Sequence, residues 1–373
     1  MDESSLPLIR DYLSGRRQFV NIDGYHSTQR ALTLGVPQGS ILGPILFLVF
    51  INDLPAALQH SVADIYADDT TISYSTHYMA APNDISDGLQ TDIDEIMNWS
   101  ADNKMILNEF KTKSMLVTGK RLGKKMEQST LQLHVNSTEL EQVSSHKLLG
   151  VTIDSQLTFD QHIENLCTKL SQRIAVLRKI RRSLPLDQRK LYYNAMIKQT
   201  MLYASTVWTS CSAENLQRVF KLQKRAARVI LNADTKANSV QLFRELDWVP
   251  FYHEANVNRL SMVYKRLSGD CPPYLSQMLI RNADINERSS RHGLLNLVCP
   301  RFKRESEGGR SFTVSTTRLW NMIPSNIRNK PSLVSFKKAM FDYFKDTHKH
   351  LDHFTFYLNT FYINFVIFRV IFT

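Results

Sequence analysis

Covalent cross-links are nearly out of reach for this chain. Its 373 residues include four cysteines, Cys167, Cys211, Cys271 and Cys299, and no two form a CxxC pair. That excludes a zinc ribbon and a disulfide framework. Scattered thiols suit a reducing compartment, so an intracellular setting, cytoplasmic or nuclear, is expected. A secretory leader is also lacking: Met1-Asp2-Glu3 is acidic and no apolar stretch follows it. The apolar run Ile41–Ile51 is too short to cross a bilayer. The tail Phe354–Thr373 has the length but carries Asn359, Asn364 and Arg369, and an arginine at the centre of a span costs about 2.5–3.5 kcal/mol. No stable membrane association is expected. No internal repeat or long low-complexity run is present, and no protein partner is legible.

The most informative absence is of positive charge. Residues 31–100 contain no Lys or Arg beside nine acids (Asp53, Asp64, Asp68, Asp69, Asp84, Asp87, Asp92, Asp94 and Glu95). Residues 161–230 reverse this, with fourteen Lys or Arg against Glu164, Asp187 and Glu214, a net +11 that equals the charge of the whole chain. An acidic block followed by a basic one suits metal binding and then a phosphate backbone. Solvated helix faces would also produce the basic block. At 43% hydrophobic, the chain can build two or three cored domains.

Within the acidic block, Ile65-Tyr66-Ala67-Asp68-Asp69-Thr70-Thr71-Ile72 sets two adjacent carboxylates between short β-like runs. A tight hairpin there pushes like charges together, which repel unless a cation lies between them. Hard oxygen ligands suit Mg²⁺ or Mn²⁺. An ordinary surface turn would use aspartate as well.

Along the chain, residues 6–20 read as a helix ending near Ser14-Gly15, then a strand from Phe19 to Ile22 and a hairpin turn at Asp23-Gly24. Gly35–Ser40 is a loop whose Ser40 can cap the next helix, with Pro44 tolerated in its first turn. That helix, about Ile41 to Leu54, is apolar on every side, and burial in a core is expected. Ser86–Asn103 is an amphipathic helix, and strand signals follow at Ser114–Thr118, Leu131–Val135 and Leu148–Ile153. From residue 161 the period is helical. Ile163, Leu166, Leu170, Ile174 and Leu177 form one stripe, with Lys169, Arg173 and Arg178 elsewhere on the helix. Leu216, Val219, Phe220, Gln223, Ala226, Ala227 and Ile230 form another, with Arg218, Lys221, Lys224, Arg225 and Arg228 outside. Residues 285–310 read as a loop, with helices near 316–322 and 332–347.

Four motifs in order now carry a resemblance. Gly35-Val36-Pro37-Gln38-Gly39-Ser40-Ile41-Leu42-Gly43-Pro44 leads to Ile51-Asn52-Asp53-Leu54, and then come Tyr66-Ala67-Asp68-Asp69, Asn108-Glu109-Phe110-Lys111-Thr112-Lys113 and His146-Lys147-Leu148-Leu149-Gly150-Val151. Together they resemble the reverse transcriptase of non-LTR (LINE-type) retrotransposons, most of residues 6–235 being covered. A single motif would be weak, whereas the ordered set is specific.

The resemblance implies an α+β fold: a partial right-hand polymerase palm, an antiparallel sheet with helices, followed by a mostly α-helical thumb and C-terminal region. It divides the chain into 1–118 (palm), 119–160 (end of the palm with a primer-grip-like turn), 161–235 (basic thumb-like helices), 236–350 (an α-rich region) and 351–373 (an apolar tail without a domain role). The implied reaction is nucleotidyl transfer from a deoxynucleoside triphosphate to a DNA primer on an RNA template, assisted by Mg²⁺ or Mn²⁺. Asp68 would be a metal ligand supported by Asp69, and Lys111 would face the triphosphate. Gln38 and Gly39 would pack on the template and nascent pair, and Leu149-Gly150 would grip the primer end. Lys169, Arg173, Arg178, Lys221, Lys224, Arg225 and Arg228 would track duplex phosphates. Asp53 is read as a helix cap.

The family carries a further metal-binding aspartate on a strand upstream of the Gly35–Ser40 loop. Asp11–Gln18 resembles the segment after that strand, so strand and fingers are expected before Met1. The chain thus reads as an N-terminally truncated enzyme, impaired in polymerisation. The alternative is a non-catalytic nucleic-acid-binding remnant.

Overall fold

Short paired strands and amphipathic helices alternate through the first third of the chain, and helices dominate the rest. The computed structural model describes residues 5–75, 82–118, 131–285, 295–302, 311–348 and 365–371. The chain divides into two units, one of Met1–Ser114, Ser129–Gln142 and Val366–Thr373, the other of Met115–Gln128 and Val143–Phe365.

The first unit opens with α1 (Leu6–Leu13). Two small ribbons follow, β1 (Arg17–Gln18) paired with β4 (Arg30–Ala31), and β2 (Asn21–Ile22) paired with β3 (Tyr25–His26). The expected Asp23-Gly24 turn is present, with φ of 51° and 88°, the doubly left-handed geometry that matches strand twist. The Gly35–Ser40 loop leads to α2 (Leu42–Ile51), and Ser40 Oγ accepts the Gly43 N–H at 2.9 Å, the expected cap. A short 3₁₀ turn, Leu54–Ala57, precedes the hairpin β5 (Val62–Tyr66) and β6 (Asp69–Ser75). Next come α3 (Pro82–Asp102), β7 (Lys113–Val117), along which the chain passes from the first unit to the second, and, back in the first, the hairpin β8 (His134–Val135) with β9 (Thr138–Glu139). α3 buries Leu89, Ile93 and Ile96 and lies against the 3₁₀ turn and β8. The larger sheet runs in the order β5, β6, β12, β7, where β12 is Phe365–Ile371.

The expectation for α2 is not met. Ile51 and Gly43 are buried, but Ile41, Leu42, Ile45, Leu48, Val49 and Phe50 range from 40% (Phe50) to 89% (Ile41) exposed. Uniform apolarity predicts burial only where there is something to pack against, and among the described residues most of this helix has no such cover.

The second unit begins with β10 (Ser145–Leu148) and β11 (Val151–Asp154), so the run expected as one strand is a hairpin turning at Leu149-Gly150. Asp154 organises the entry to α4 (Asp160–Ile180): its carboxylate accepts the N–H groups of Gln156, Thr158 and Phe159 at 3.1, 3.0 and 2.6 Å. α4 packs on α5 (Ala213–Leu231), whose first turn is capped by Ser212. Both apolar stripes read from the sequence are buried and share one core with Tyr193, Trp208 and Phe251. Gln223 belongs to that stripe yet is fully used: it donates to Tyr193 Oη and the Val249 carbonyl and accepts the Phe251 N–H. α6 (Phe251–Leu267), α7 (Phe312–Met322) and α8 (Leu333–His348) enclose a second core around Trp320, Phe336 and Met340. Of the predicted loop 285–310, residues 286–294 and 303–310 lie outside the described residues, as does most of the tail.

Candidate active site and nucleic-acid interface

The β5–β6 hairpin is closed by the pair Tyr66↔Asp69, which leaves Ala67 and Asp68 as a two-residue turn. Ala67 holds φ at 54°, a left-handed conformation that costs an alanine about 1–2 kcal/mol. Strain of that kind persists only where the surroundings enforce it, and it concentrates at functional positions. The turn projects Asp68 into solvent, where the side chain has no hydrogen-bond or ion-pair partner among the described residues, while Asp69 begins β6 half-buried.

Two contacts brace this hairpin from α3. The fully buried Asp92 carboxylate accepts the N–H groups of Gln59 and His60, at 2.8 and 3.2 Å, where the chain enters β5. Trp99 Nε1 donates to Asp53 Oδ1 at 3.2 Å. Asp53 precedes the 3₁₀ turn without a side-chain capping bond, so its carboxylate serves Trp99 and not the cap expected of it. Sequence reasoning gave Asp92 no role. The signal was there, because Ile85, Leu89, Asp92 and Ile96 step by four, three and four along one buried stripe. A carboxylate on such a stripe must be hydrogen-bonded.

Gln38 and Gly39 are exposed in the loop before α2, and Gly39 takes φ of 79°, open to glycine without strain. Lys111 and Lys113 separate cleanly. Lys113 pairs with Glu141 at 2.6 Å, whereas the exposed Lys111 has no side-chain partner among the described residues. The loop that carries Lys111 is tied down by Glu109, whose carboxylate accepts from Asn136 Nδ2 and, at 2.8 Å, from Thr138 Oγ1. Those bonds hold the Glu109 carboxyl below its ordinary range, Asn136 contributing most.

The donor chemistry of Asp68 and Asp69 suits a hard divalent ion. However, no group of three or more His, Cys, Asp or Glu side chains converges among the described residues. An ion held here would complete its shell with water and substrate oxygens, as Mg²⁺ commonly does.

In the second unit, Leu149 and Gly150 form the β10–β11 turn with φ of 44° and 87°. On α4 and α5 the basic side chains divide into two kinds. Lys169, Arg178 and Lys221 are exposed, and Lys224 and Arg225 are half-buried. Lys224 lies 4.6 Å from the Phe220 ring centroid, and burial first, then Arg228 and Lys221, hold its ammonium below the usual lysine range. Arg173 instead donates inward to the Met196 carbonyl and Thr200 Oγ1, and Arg228 donates to the Ala237 carbonyl at 3.3 Å. These two, read as outward-facing, are tied into the helical packing. A periodicity count cannot see that difference, since both lie beside the apolar stripe and have arms long enough to turn back.

Residues 1–153 match the family described as reverse transcriptase (RNA-dependent DNA polymerase). The chain is 30% identical over 250 residues to the Drosophila melanogaster protein named "Probable RNA-directed DNA polymerase from transposon BS", covering 64% of this chain and 27% of that one. It is 26% identical over 256 residues to its X-element counterpart, covering 67% and 27%. With the RNA-directed DNA polymerase from mobile element jockey of the same fly it shares 27% identity over 313 residues, 78% of this chain and 33% of that one. The chain thus spans about a quarter to a third of the length of these relatives. No solved structure matches it. The similarity to reverse transcriptases thus falls on the first 153 residues, and these relatives carry the name RNA-directed DNA polymerase.

Proposed function

We propose that this chain carries the palm of a retrotransposon RNA-directed DNA polymerase followed by a basic helical thumb, and that it adds deoxynucleotides to a DNA primer on an RNA template. The observation that carries the reading is the Ala67-Asp68 turn. It is a strained two-residue turn that delivers to solvent a carboxylate without a partner among the described residues, and it lies inside the stretch matching reverse transcriptases.

In this reading Asp68 and Asp69 hold Mg²⁺ or Mn²⁺. When bound, the ion supplies the positive charge that offsets the developing negative charge of phosphoryl transfer. Lys111, not Lys113, faces the triphosphate, because Lys113 is committed to Glu141. Gln38 and Gly39 pack on the template and nascent base pair, where the lack of a side chain on Gly39 allows close backbone approach. Lys169, Arg178, Lys221, Lys224 and Arg225 face duplex phosphates, while Arg173 and Arg228 shape the helices that present them.

Primer extension tests the catalytic claim. Mg²⁺-dependent incorporation lost in Asp68→Ala, by about 10²-fold or more, is the expected result. No incorporation by the wild-type chain, with a longer relative extending the same primer alongside, would refute it. The charge of residues 161–230 also favours a second reading, duplex binding without chemistry. Neutralising Lys221, Lys224 and Arg225 should weaken binding and flatten its logarithmic salt dependence by about 0.9 per lost phosphate contact. Binding indifferent to salt would exclude it.

A further inference from the structure

The β10–β11 turn is made of the wrong residue for its shape. Doubly left-handed hairpin turns favour Asn-Gly or Asp-Gly, yet the first position is Leu149, a branched apolar residue held at φ 44°. Its side chain remains 42% exposed at the tip, so burial does not account for the choice.

What holds the turn is Tyr203. Its hydroxyl donates to the Leu149 carbonyl at 2.7 Å. Its ring covers Gly150 so closely that a Cβ there would sit 3.1 Å from Tyr203 Cε1. The tyrosine is anchored in turn from below: its own carbonyl accepts the indole N–H of the buried Trp208 at 2.8 Å. The next residue, Ala204, also sits in the left-handed region, at φ 46°. Two strained backbone segments, 54 residues apart in sequence, are therefore locked by one phenol. Such strain marks a place where geometry outweighs stability.

We propose that Tyr203 is a positioning residue for the primer-grip-like turn that the resemblance implies: it fixes Leu149-Gly150 so that the outward Leu149 side chain packs on the terminal sugar and base of the bound primer. An apolar tip suits that occupant, since the deoxyribose ring edge and the base face are the apolar surfaces of a nucleic acid and stack without reading sequence. A side chain meant for phosphate would have carried a hydrogen-bond donor, which leucine lacks. This inference rests on the polymerase reading above, and it adds a residue from the helical segment that no motif contained.

The test uses the whole chain with a DNA primer, bearing a photoreactive thiothymidine at its 3′ end, annealed to an RNA template. Fluorescence anisotropy gives duplex affinity, and peptide mapping locates the cross-link. The wild type should cross-link within residues 145–154. Tyr203→Phe keeps the ring over Gly150 and removes only the hydrogen bond. It should lower that cross-link about fivefold or more while duplex affinity stays within about twofold and the melting temperature barely moves. A merely structural role would shift melting and affinity together and leave the cross-link distribution alone, which would overturn the proposal. Leu149→Gly should lose the cross-link as well, and adding Tyr203→Phe to it should cost nothing further, because the two act as one unit. Cross-linking of the wild type elsewhere on the chain sinks the proposal and leaves the polymerase reading standing. Absence of any duplex binding by the wild type sinks both.

Discussion

Asp92→Ala tests how the exposed aspartate is held. The Asp92 carboxylate, fully buried on α3, accepts two N–H groups, from Gln59 at 2.8 Å and His60 at 3.2 Å. Hydrogen bonds to a charged group contribute about 1.5–3 kcal/mol each. Gln59 and His60 are themselves exposed, so water can recover part of the loss once the acceptor is gone. The net cost for Asp92→Ala should therefore be about 2–4 kcal/mol, and roughly half that for Asp92→Asn, which keeps one carbonyl acceptor. Hydrogen exchange followed peptide by peptide can read this unit separately from the helical one. Protection across 55–75, which includes the Asp68 turn, should fall by about 30- to 700-fold, since each 1.4 kcal/mol is tenfold, while α4 and α5 keep theirs. A change below about twofold across 55–75 would refute the idea that this carboxylate secures the hairpin. Equal loss in α4 and α5 would refute the claim that the effect is local.

Two further outcomes follow from the same reasoning. On α2, Ile45→Lys and Leu48→Glu should each change stability by less than about 0.5 kcal/mol in denaturant titration, whereas the buried Ile51→Ala should cost about 2–4 kcal/mol. Equal costs at all three positions would mean that the outer face is covered after all. His162 is held below the usual imidazole range, by burial first and then by Lys169, and its Nδ1 accepts the Thr152 N–H at 3.3 Å. Above the unfolded value of about 6.5 it is neutral in both states and has no effect. As pH falls below that value the unfolded chain takes the proton first, so stability drops until the folded imidazole itself titrates. Denaturation midpoints between pH 7 and 5 should therefore fall less steeply in His162→Asn than in the wild type, and parallel slopes would exclude the effect.

Much of the fold was legible because hydrophobic period and turn chemistry act locally. The stripes of α4 and α5, the Asp23-Gly24 turn, the Ser40 cap and the Asp-Asp hairpin all depend on neighbours within a few residues. The catalytic candidates were legible as ordered motifs. What stayed hidden depends on partners far along the chain. Asp53 meets Trp99, Arg173 turns back to Met196, and Tyr203 reaches Leu149, and no spacing rule announces any of them. α2 misled for a related reason: composition reports what a helix would prefer to touch, not whether something is there to touch it.

That bare helix has a consequence for the life of the protein in a cell. Chaperones and degradation receptors survey uncharged greasy segments, and from Ile41 to Ile51 the chain presents one with no Lys, Arg, Asp or Glu to discourage capture. Among the described residues nothing covers most of the outer face of α2, so a single charge placed there would act as a gatekeeper against self-association at little cost to the fold.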